Sequence, residues 1–149
     1  MRVYVAGPLF SDAERAWLDA LAARLRAEGW DCFVPHENFG GVTDLSAEHV
    51  FRVDAGALRE ANVLLAWLDG PSVDDGTAAE IGMFAQLCET GGPQYRGIVG
   101  LLTDLRAQRR RVLEAGGLNL FVAGAIASCG RICWSVDDAV EALRGLAAE

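Results

Sequence analysis

The chain has 149 residues, 52% hydrophobic and 23% charged, which is the composition of one globular domain with a sizeable core. Its net charge of −8 argues against a protein that binds nucleic acid polymers, because these need a basic footprint. The apolar runs are strand-sized, which excludes a transmembrane span, and Met1 lies too close to the first strand for a signal peptide. We therefore expect one cytoplasmic domain over residues 1–149.

Predicted strands and helices alternate along the whole chain. The strands are expected at residues 2–6, 31–34, 63–68, 98–102 and 131–134. The helices are expected at about 11–28, 46–61, 77–89, 104–115, 119–128 and 136–147, the first of them opened by a capping box from Ser11 to Glu14. Strands that are apolar on both faces and alternate with helices indicate a parallel sheet covered on both sides. We predict an α/β, flavodoxin-like three-layer fold with a five-stranded parallel sheet in the order 2-1-3-4-5.

The segment from Asp69 to Glu80 carries four carboxylates and follows the third predicted strand. A turn after a strand lies at the carboxyl edge of an α/β sheet, where ligands bind. Two carboxyl groups around one reacting carbon are the equipment of glycosidic bond cleavage. The alternative is structural: residues Thr77 to Glu80 also fit a capping box, and Asp74 or Asp75 fits an ordinary N-cap.

In the predicted strand order, the turn after the first strand faces the Asp69–Glu80 segment across the topological switch point. That turn contains Gly7 and Phe10, and Phe10 could stack on a planar base or serve as a hydrophobic staple before Ser11. The chain has no dinucleotide fingerprint and no P-loop sequence, so we expect no cofactor.

Asp54 falls on the apolar stripe of the predicted helix 46–61. A carboxylate on that stripe is either paired or functional, because burying it alone is expensive. The structural alternative is an ion pair with Arg2 or Arg59.

Four cysteines, at positions 32, 88, 129 and 133, form no CxxC pair, and His36 and His49 are the only histidines. Apolar neighbours of Cys32 and Cys88 suggest reduced core thiols. We predict no metal site and no disulfide.

An ordered set of short motifs spans roughly the first ninety residues. It comprises residues 4–10 before a helix, Asp54 with Leu58 and Ala61, and a segment with Asp69-Gly70-Pro71, Asp74, Gly76-Thr77 and Glu80-Ile81-Gly82. In order and spacing this set resembles the nucleoside 2-deoxyribosyltransferase family.

The resemblance implies an enzyme that cleaves the N-glycosidic bond of a 2'-deoxynucleoside and transfers the sugar to another nucleobase. It implies that Glu80 is the nucleophile and that Asp54 and Asp74 hold and protonate the base. The substrate-binding residues that it implies are Tyr4, Gly7, Phe10 and Asn119.

Asn119 resembles a residue that this family donates to a neighbouring subunit, which implies a homo-oligomer, but it would serve equally as a helix N-cap. Two other functions stay open. One is an N-hydrolase acting on 2'-deoxynucleosides or their 5'-phosphates, and the other is a non-catalytic nucleoside-sensing module.

Overall fold

A five-stranded parallel sheet forms the centre of the protein in the computed structural model, which describes residues 1–39, 45–108 and 117–148. The strand order is β2-β1-β3-β4-β5, which confirms the prediction. The strands are β1 (Arg2–Ala6), β2 (Asp31–Phe33), β3 (Val63–Trp67), β4 (Gly97–Leu101) and β5 (Gly130–Cys133).

Helices connect the strands and cover both faces of the sheet. They are α1 (Asp12–Arg26), α2 (Ala47–Glu60), α3 (Asp75–Thr90), α4 (Leu105–Gln108), α5 (Leu120–Cys129) and α6 (Val136–Ala148), with a short 3-10 helix at Pro35–Asn38. These bounds agree with the predicted ones to within a residue or two. The exception is the helix predicted at 104–115, of which only α4 is described, the remainder lying outside the described residues.

Two helix starts show how local sequence determines the register. The capping box of α1 is confirmed: the Ser11 hydroxyl accepts from the Glu14 amide at 3.2 Å, and the Ser11 amide donates to the Glu14 carboxylate at 2.7 Å. Of the two structural alternatives for the start of α3, the Asp74 N-cap is confirmed and the Thr77–Glu80 capping box is not formed. Helix α3 begins one turn earlier, with Asp74 as N-cap, because the Asp74 carboxylate accepts from the Thr77 amide at 2.9 Å.

Side chains of β1 alternate between the two layers of the core. Val3 and Val5 pack with α1 and α6 on one face, and Tyr4 and Ala6 pack with α2, α3 and α5 on the other. This alternation follows from the two-residue period of a strand. It places the Tyr4 side chain, which is fully buried, beneath the two helices that carry Asp54 and Glu80.

The turn after β1 passes close to β3. A Cβ atom at Gly7 would lie 3.1 Å from Leu18 Cδ2 and 3.2 Å from Trp67 Cβ, closer than ordinary contacts. Glycine at this position therefore lets the turn lie directly against Trp67. Among the helices of the described residues, none combines the length and the apolar character needed to cross a membrane.

Candidate active site

The centre of the candidate site is a hydrogen bond between a strand and a helix. The Tyr4 hydroxyl donates to Glu80 Oε1 at 2.5 Å. Because β1 pairs with β3 and α3 follows β3, the end of β1 and the first turns of α3 meet at the carboxyl edge. The Glu80 side chain therefore points at the sheet and not back at the start of its own helix.

Glu80 lies in surroundings that disfavour its negative charge. The pKa of its carboxyl is raised to about 7, chiefly by burial and to a smaller extent by the charges of Asp54 and Asp74, while the hydrogen bond from Tyr4 opposes the shift. A carboxyl group with a pKa near neutrality, next to two others, is typical of a site that handles protons or covalent intermediates.

Asp54 projects from α2 toward the same place. Its Oδ1 atom is buried and has no hydrogen-bond partner among the described residues, and burial raises the pKa of its carboxyl to about 6. The described part of the chain shows no ion pair between Asp54 and an arginine. Arg2, one of the proposed partners, instead contacts Glu60 at 2.6 Å and Asp31 at 3.4 Å. An unpaired buried carboxylate favours the functional interpretation.

Asp74 has a structural role that does not use its whole carboxylate. Its Oδ2 atom accepts from both the amide and the hydroxyl of Thr77, at 2.9 and 3.1 Å. Both bonds go to one oxygen, so the helix cap fixes the orientation of the side chain beside Glu80.

Tyr4 is held as a neutral donor. Burial, followed by the charge of Glu80 and the hydrogen bond to it, raises the pKa of the phenol far above its ordinary value. Its ring stacks on that of Phe33, with 5.2 Å between centroids. Sequence reasoning missed Phe33, although the parallel register pairs it directly with Tyr4.

Phe10 lies on the surface next to this edge, with 74% of its side chain exposed. It forms no hydrophobic staple, since the corresponding position in α1 is Arg15. The Arg15 guanidinium donates to the carbonyl oxygens of Leu9 and Phe10 at 2.8 and 2.9 Å. The turn that carries Gly7 and Phe10 is thus tied to α1.

Asp69, which sequence reasoning placed among four candidate carboxylates, fastens two loops. Its Oδ1 accepts from the amides of Thr103 and Asp104 at 2.6 and 2.9 Å, and its Oδ2 accepts from the Thr103 hydroxyl at 2.5 Å. Asp69 therefore holds the turn after β3 to the segment after β4.

Asn119 lies apart from the carboxylates. It is the N-cap of α5, and its side chain accepts from the amides of Phe121 and Val122 at 2.9 and 3.3 Å, as the capping alternative predicts. It borders a cavity of about 470 Å³ with Gly70, Asp75 and Asp104, and the lining includes none of Tyr4, Asp54 and Glu80. The structure brings together Tyr4, Asp54, Asp74 and Glu80, and leaves Asn119 outside that group.

Within the described residues, no three histidine, cysteine or acidic side chains are grouped as they would be around a metal ion. The four cysteines are free thiols. The side chains that the site brings together are three carboxyl groups and one phenol.

Comparison with known proteins decides the family. A family model described as Nucleoside 2-deoxyribosyltransferase matches residues 3–113, which is most of the chain. The chain belongs to this family. The matched range contains all four residues of the Tyr4–Asp54–Asp74–Glu80 group, and Asn119 lies beyond it.

Solved structures share the fold of this deoxyribosyltransferase-family chain. A conserved protein of Enterococcus faecalis V583 is 26% identical with a TM-score of 0.80, covering 97% of this chain and 98% of that one. The 2-deoxyribosyltransferase of Bacillus psychrosaccharolyticus is 20% identical with a TM-score of 0.68, over 93% and 89%. The CMP N-glycosidase BcmB of Clostridium botulinum is 17% identical with a TM-score of 0.59, over 97% and 98%. A search of curated proteins finds no match.

Proposed function

We propose that this protein breaks the N-glycosidic bond of a 2'-deoxynucleoside and transfers the deoxyribosyl group to a second nucleobase, with Glu80 as nucleophile. The observation that carries the proposal is the Tyr4–Glu80 hydrogen bond beside the unpaired Asp54 carboxyl. Family membership supports N-glycosidic chemistry, and the roles of the individual residues are part of the proposal.

In the first half-reaction, the bond between C1' and the base nitrogen breaks and its electron pair leaves with the base. Positive charge builds on C1' in an oxocarbenium-like transition state, which a carboxylate below the sugar stabilises. Tyr4 donates to Oε1 of Glu80, so Oε2 is the oxygen that forms the ester bond to C1'. The absence of a 2'-hydroxyl makes this cation easier to form.

The departing base needs a proton, and Asp54 is the group proposed to supply it. Its pKa of about 6 lies above that of an ordinary aspartate, so the carboxyl holds its proton closer to neutral pH. Asp74, oriented by its bonds to Thr77, is proposed to hold the base through its other oxygen, Oδ1. A second base then attacks C1' and gives its N–H proton to the Asp54 carboxylate, the bond between C1' and Glu80 Oε2 breaks, and the configuration at C1' is retained.

The substrate is proposed to be a nucleoside with a free 5'-hydroxyl. A 5'-phosphate would require a cation near the turn after β1, and the nearby Arg15 is already engaged by the carbonyl oxygens of that turn and by Asp12. The CMP N-glycosidase relative keeps hydrolysis of a nucleotide as the alternative.

We further propose that the enzyme is a homo-oligomer with Asn119 near a subunit boundary. Helix α5, which Asn119 caps, has no charged residue and begins with Leu120 and Phe121, whose side chains are 61% and 84% exposed. Apolar surface of this kind is typical of an interaction site.

The decisive experiment is mass spectrometry of the protein after incubation with a 2'-deoxynucleoside alone. We expect one added deoxyribosyl unit on the peptide that contains Glu80. Glu80→Gln should lose turnover by roughly 10³-fold or more and carry no adduct, because the amide cannot form the ester. The control is Glu89→Gln, which changes an exposed glutamate of the same helix and should behave as wild type.

Adding a second free base distinguishes the alternatives. Exchange of bases indicates transfer, whereas free deoxyribose at the same rate with or without the base indicates hydrolysis. Binding of deoxynucleoside by the wild type without any turnover would contradict the enzymatic proposal and favour a sensing module.

A further inference from the structure

Two of the four cysteines lie in contact on the side of the sheet that carries the candidate site. Cys88 is in the last two turns of α3 and Cys129 is the last residue of α5, and these two helices pack against each other. The two thiols open onto the same surface cavity, and each is the largest influence on the pKa of the other. Their side chains therefore meet across the interface between the two helices.

Small molecules can reach this pair. Cys88 and Cys129 line the same surface cavity of about 450 Å³, together with Gln86, Glu89, Phe121 and Ser128. Both residues are only partly buried. The cavity is wide enough to admit a molecule the size of a hydroperoxide. Because Phe121 also lines it, the pair is accessible in a subunit whose α5 face is not covered by a second copy.

Neighbouring groups make Cys129 the better nucleophile of the two. The proximity of Cys88 lowers the pKa of the Cys129 thiol to about 7, and the same proximity raises the pKa of Cys88. The thiolate is the reactive form of cysteine, so Cys129 has a larger reactive fraction near neutral pH than Cys88.

The other two cysteines do not have these properties. Cys32 and Cys133 are buried, and burial raises the pKa of each thiol. They lie on β2 and β5, the two edges of the sheet. Four strand spacings of about 4.8 Å separate these strands, which is roughly 19 Å and too far for a disulfide.

We propose that Cys88 and Cys129 are an oxidation site that forms a reversible disulfide between α3 and α5 in the presence of a hydroperoxide. The Cys129 thiolate attacks the peroxide oxygen and the O–O bond breaks, which leaves a sulfenic acid on Cys129 and a hydroxide, or an alkoxide from an organic hydroperoxide. That leaving group takes up the proton released when the thiol ionised and departs as water or an alcohol. The Cys88 thiol then displaces the hydroxyl of that sulfenic acid as water. Two thiols are oxidised and one peroxide is reduced.

The disulfide would join the helices away from the reacting groups. Cys88 follows Glu80 by eight residues on α3, which is about 12 Å along a helix. The cross-link would therefore fix how α3, the helix that carries Asp74 and Glu80, packs on α5. The proposal is independent of the role of Glu80.

The test is oxidation of the reduced, full-length protein with hydrogen peroxide, followed by alkylation and peptide mapping. We expect the intact mass to fall by about 2 Da and peptides containing Cys88 and Cys129 to be linked within one chain, with full reversal by a dithiol. Cys32 and Cys133 should be alkylated normally after unfolding.

Three variants make the result specific. Cys88→Ser should leave a sulfenic acid on Cys129 that a carbon-acid reagent labels, and Cys129→Ser should slow oxidation at least about tenfold. Cys133→Ala, which changes a cysteine on the other face of the sheet, should link as wild type does. Peroxide treatment that leaves both thiols free, links them between chains or carries Cys129 to sulfinic acid without a disulfide would overturn the proposal.

Discussion

The buried carboxylate of Glu80 destabilises the folded protein. A carboxylate loses favourable hydration when it is buried, and Glu80 also faces two other carboxylates. No positive charge compensates it in the described part of the chain, and the one hydrogen bond that opposes the pKa shift comes from Tyr4. A buried carboxyl group of this kind is expected where activity requires it at the expense of the stability of the fold.

The free energy of unfolding should depend on pH, because burying the ionised Glu80 carboxylate is unfavourable. The folded pKa of Glu80, about 7, exceeds the ordinary value of 4.5, so the folded protein binds the proton more tightly and stability is lost as pH rises from 4.5 through 7. Glu80→Gln, which still accepts the Tyr4 hydrogen bond, should be more stable than wild type by about 3 kcal/mol at pH 8.

Urea denaturation at pH 4, 6 and 8 measures this difference. The gain should vanish at pH 4, where both side chains are neutral, and Glu89→Gln should show no such trend because its side chain is exposed. A Glu80→Gln variant that is less stable than wild type at pH 8 would contradict the pKa assigned to Glu80.

Sequence patterns predicted part of this residue-level arrangement. Asp54 and the Asp69–Glu80 segment could be placed near one sheet edge because the helix stripe and the predicted strand order pointed there, whereas only the family resemblance placed Tyr4 near Glu80. The first residue of α3 could not be predicted, because Asp74–Thr77 and Thr77–Glu80 are overlapping capping patterns of similar quality. The structure selects the earlier one, and Glu80 is then free to turn toward Tyr4.

At the level of elements, the turn that leads into α3 depends on a clamp between two strands. Asp69 at the end of β3 accepts three hydrogen bonds from Thr103 and Asp104, just beyond β4. Two of these bonds give the backbone amides of Thr103 and Asp104 an acceptor at the sheet edge. The position of Asp74 and Glu80 relative to β1 thus depends on the neighbouring loop.

Removing the hydrogen bonds of Asp69 should lower the stability of the fold. Asp69→Ala should lower the free energy of unfolding by about 3 kcal/mol, because three hydrogen bonds to a charged acceptor are lost. Asp69→Asn keeps an oxygen for the amides and should cost about 1 kcal/mol or less. Denaturant titrations of both, with exposed Asp137→Ala on α6 as control, check this. Equal effects of alanine and asparagine would show that the clamp does not act through the amides.

The element pattern was predictable because apolar strands alternate with capped helices, and β3 and β4 each differ from their predicted bounds by one residue. Contacts between elements that are distant in the chain were not predictable from the sequence. Neither the Cys88–Cys129 contact nor the Asp69 clamp leaves a local signal, since both depend on how α3 packs on α5 and how β3 lies beside β4.

For the whole molecule, the net charge opposes self-association and the exposed apolar surface favours it. A charge of −8 favours repulsion between copies, whereas α5 presents Leu120 and Phe121 to solvent. The apolar area is local and the charge is spread, so association through the α5 face is compatible with both.

Sedimentation velocity tests the proposed oligomer. We expect the wild type to sediment as a multiple of the monomer, and Phe121→Ser to weaken association at least about tenfold, because aromatic residues dominate interface energies. Leu105→Ser, which alters an exposed apolar residue of α4, is the matched control and should associate as wild type. A wild type that stays monomeric at tens of micromolar would contradict the expectation.

The Tyr4–Asp54–Asp74–Glu80 group draws on β1, α2 and the start of α3, and on nothing after residue 80. The elements from β4 onward instead build one wall of the 470 Å³ cavity beside it. The opposite wall comes from residues 68–78, the stretch that also carries Asp74. Substitutions at Leu102, Leu118 or Val122 would therefore reshape this cavity without changing any of the four grouped side chains.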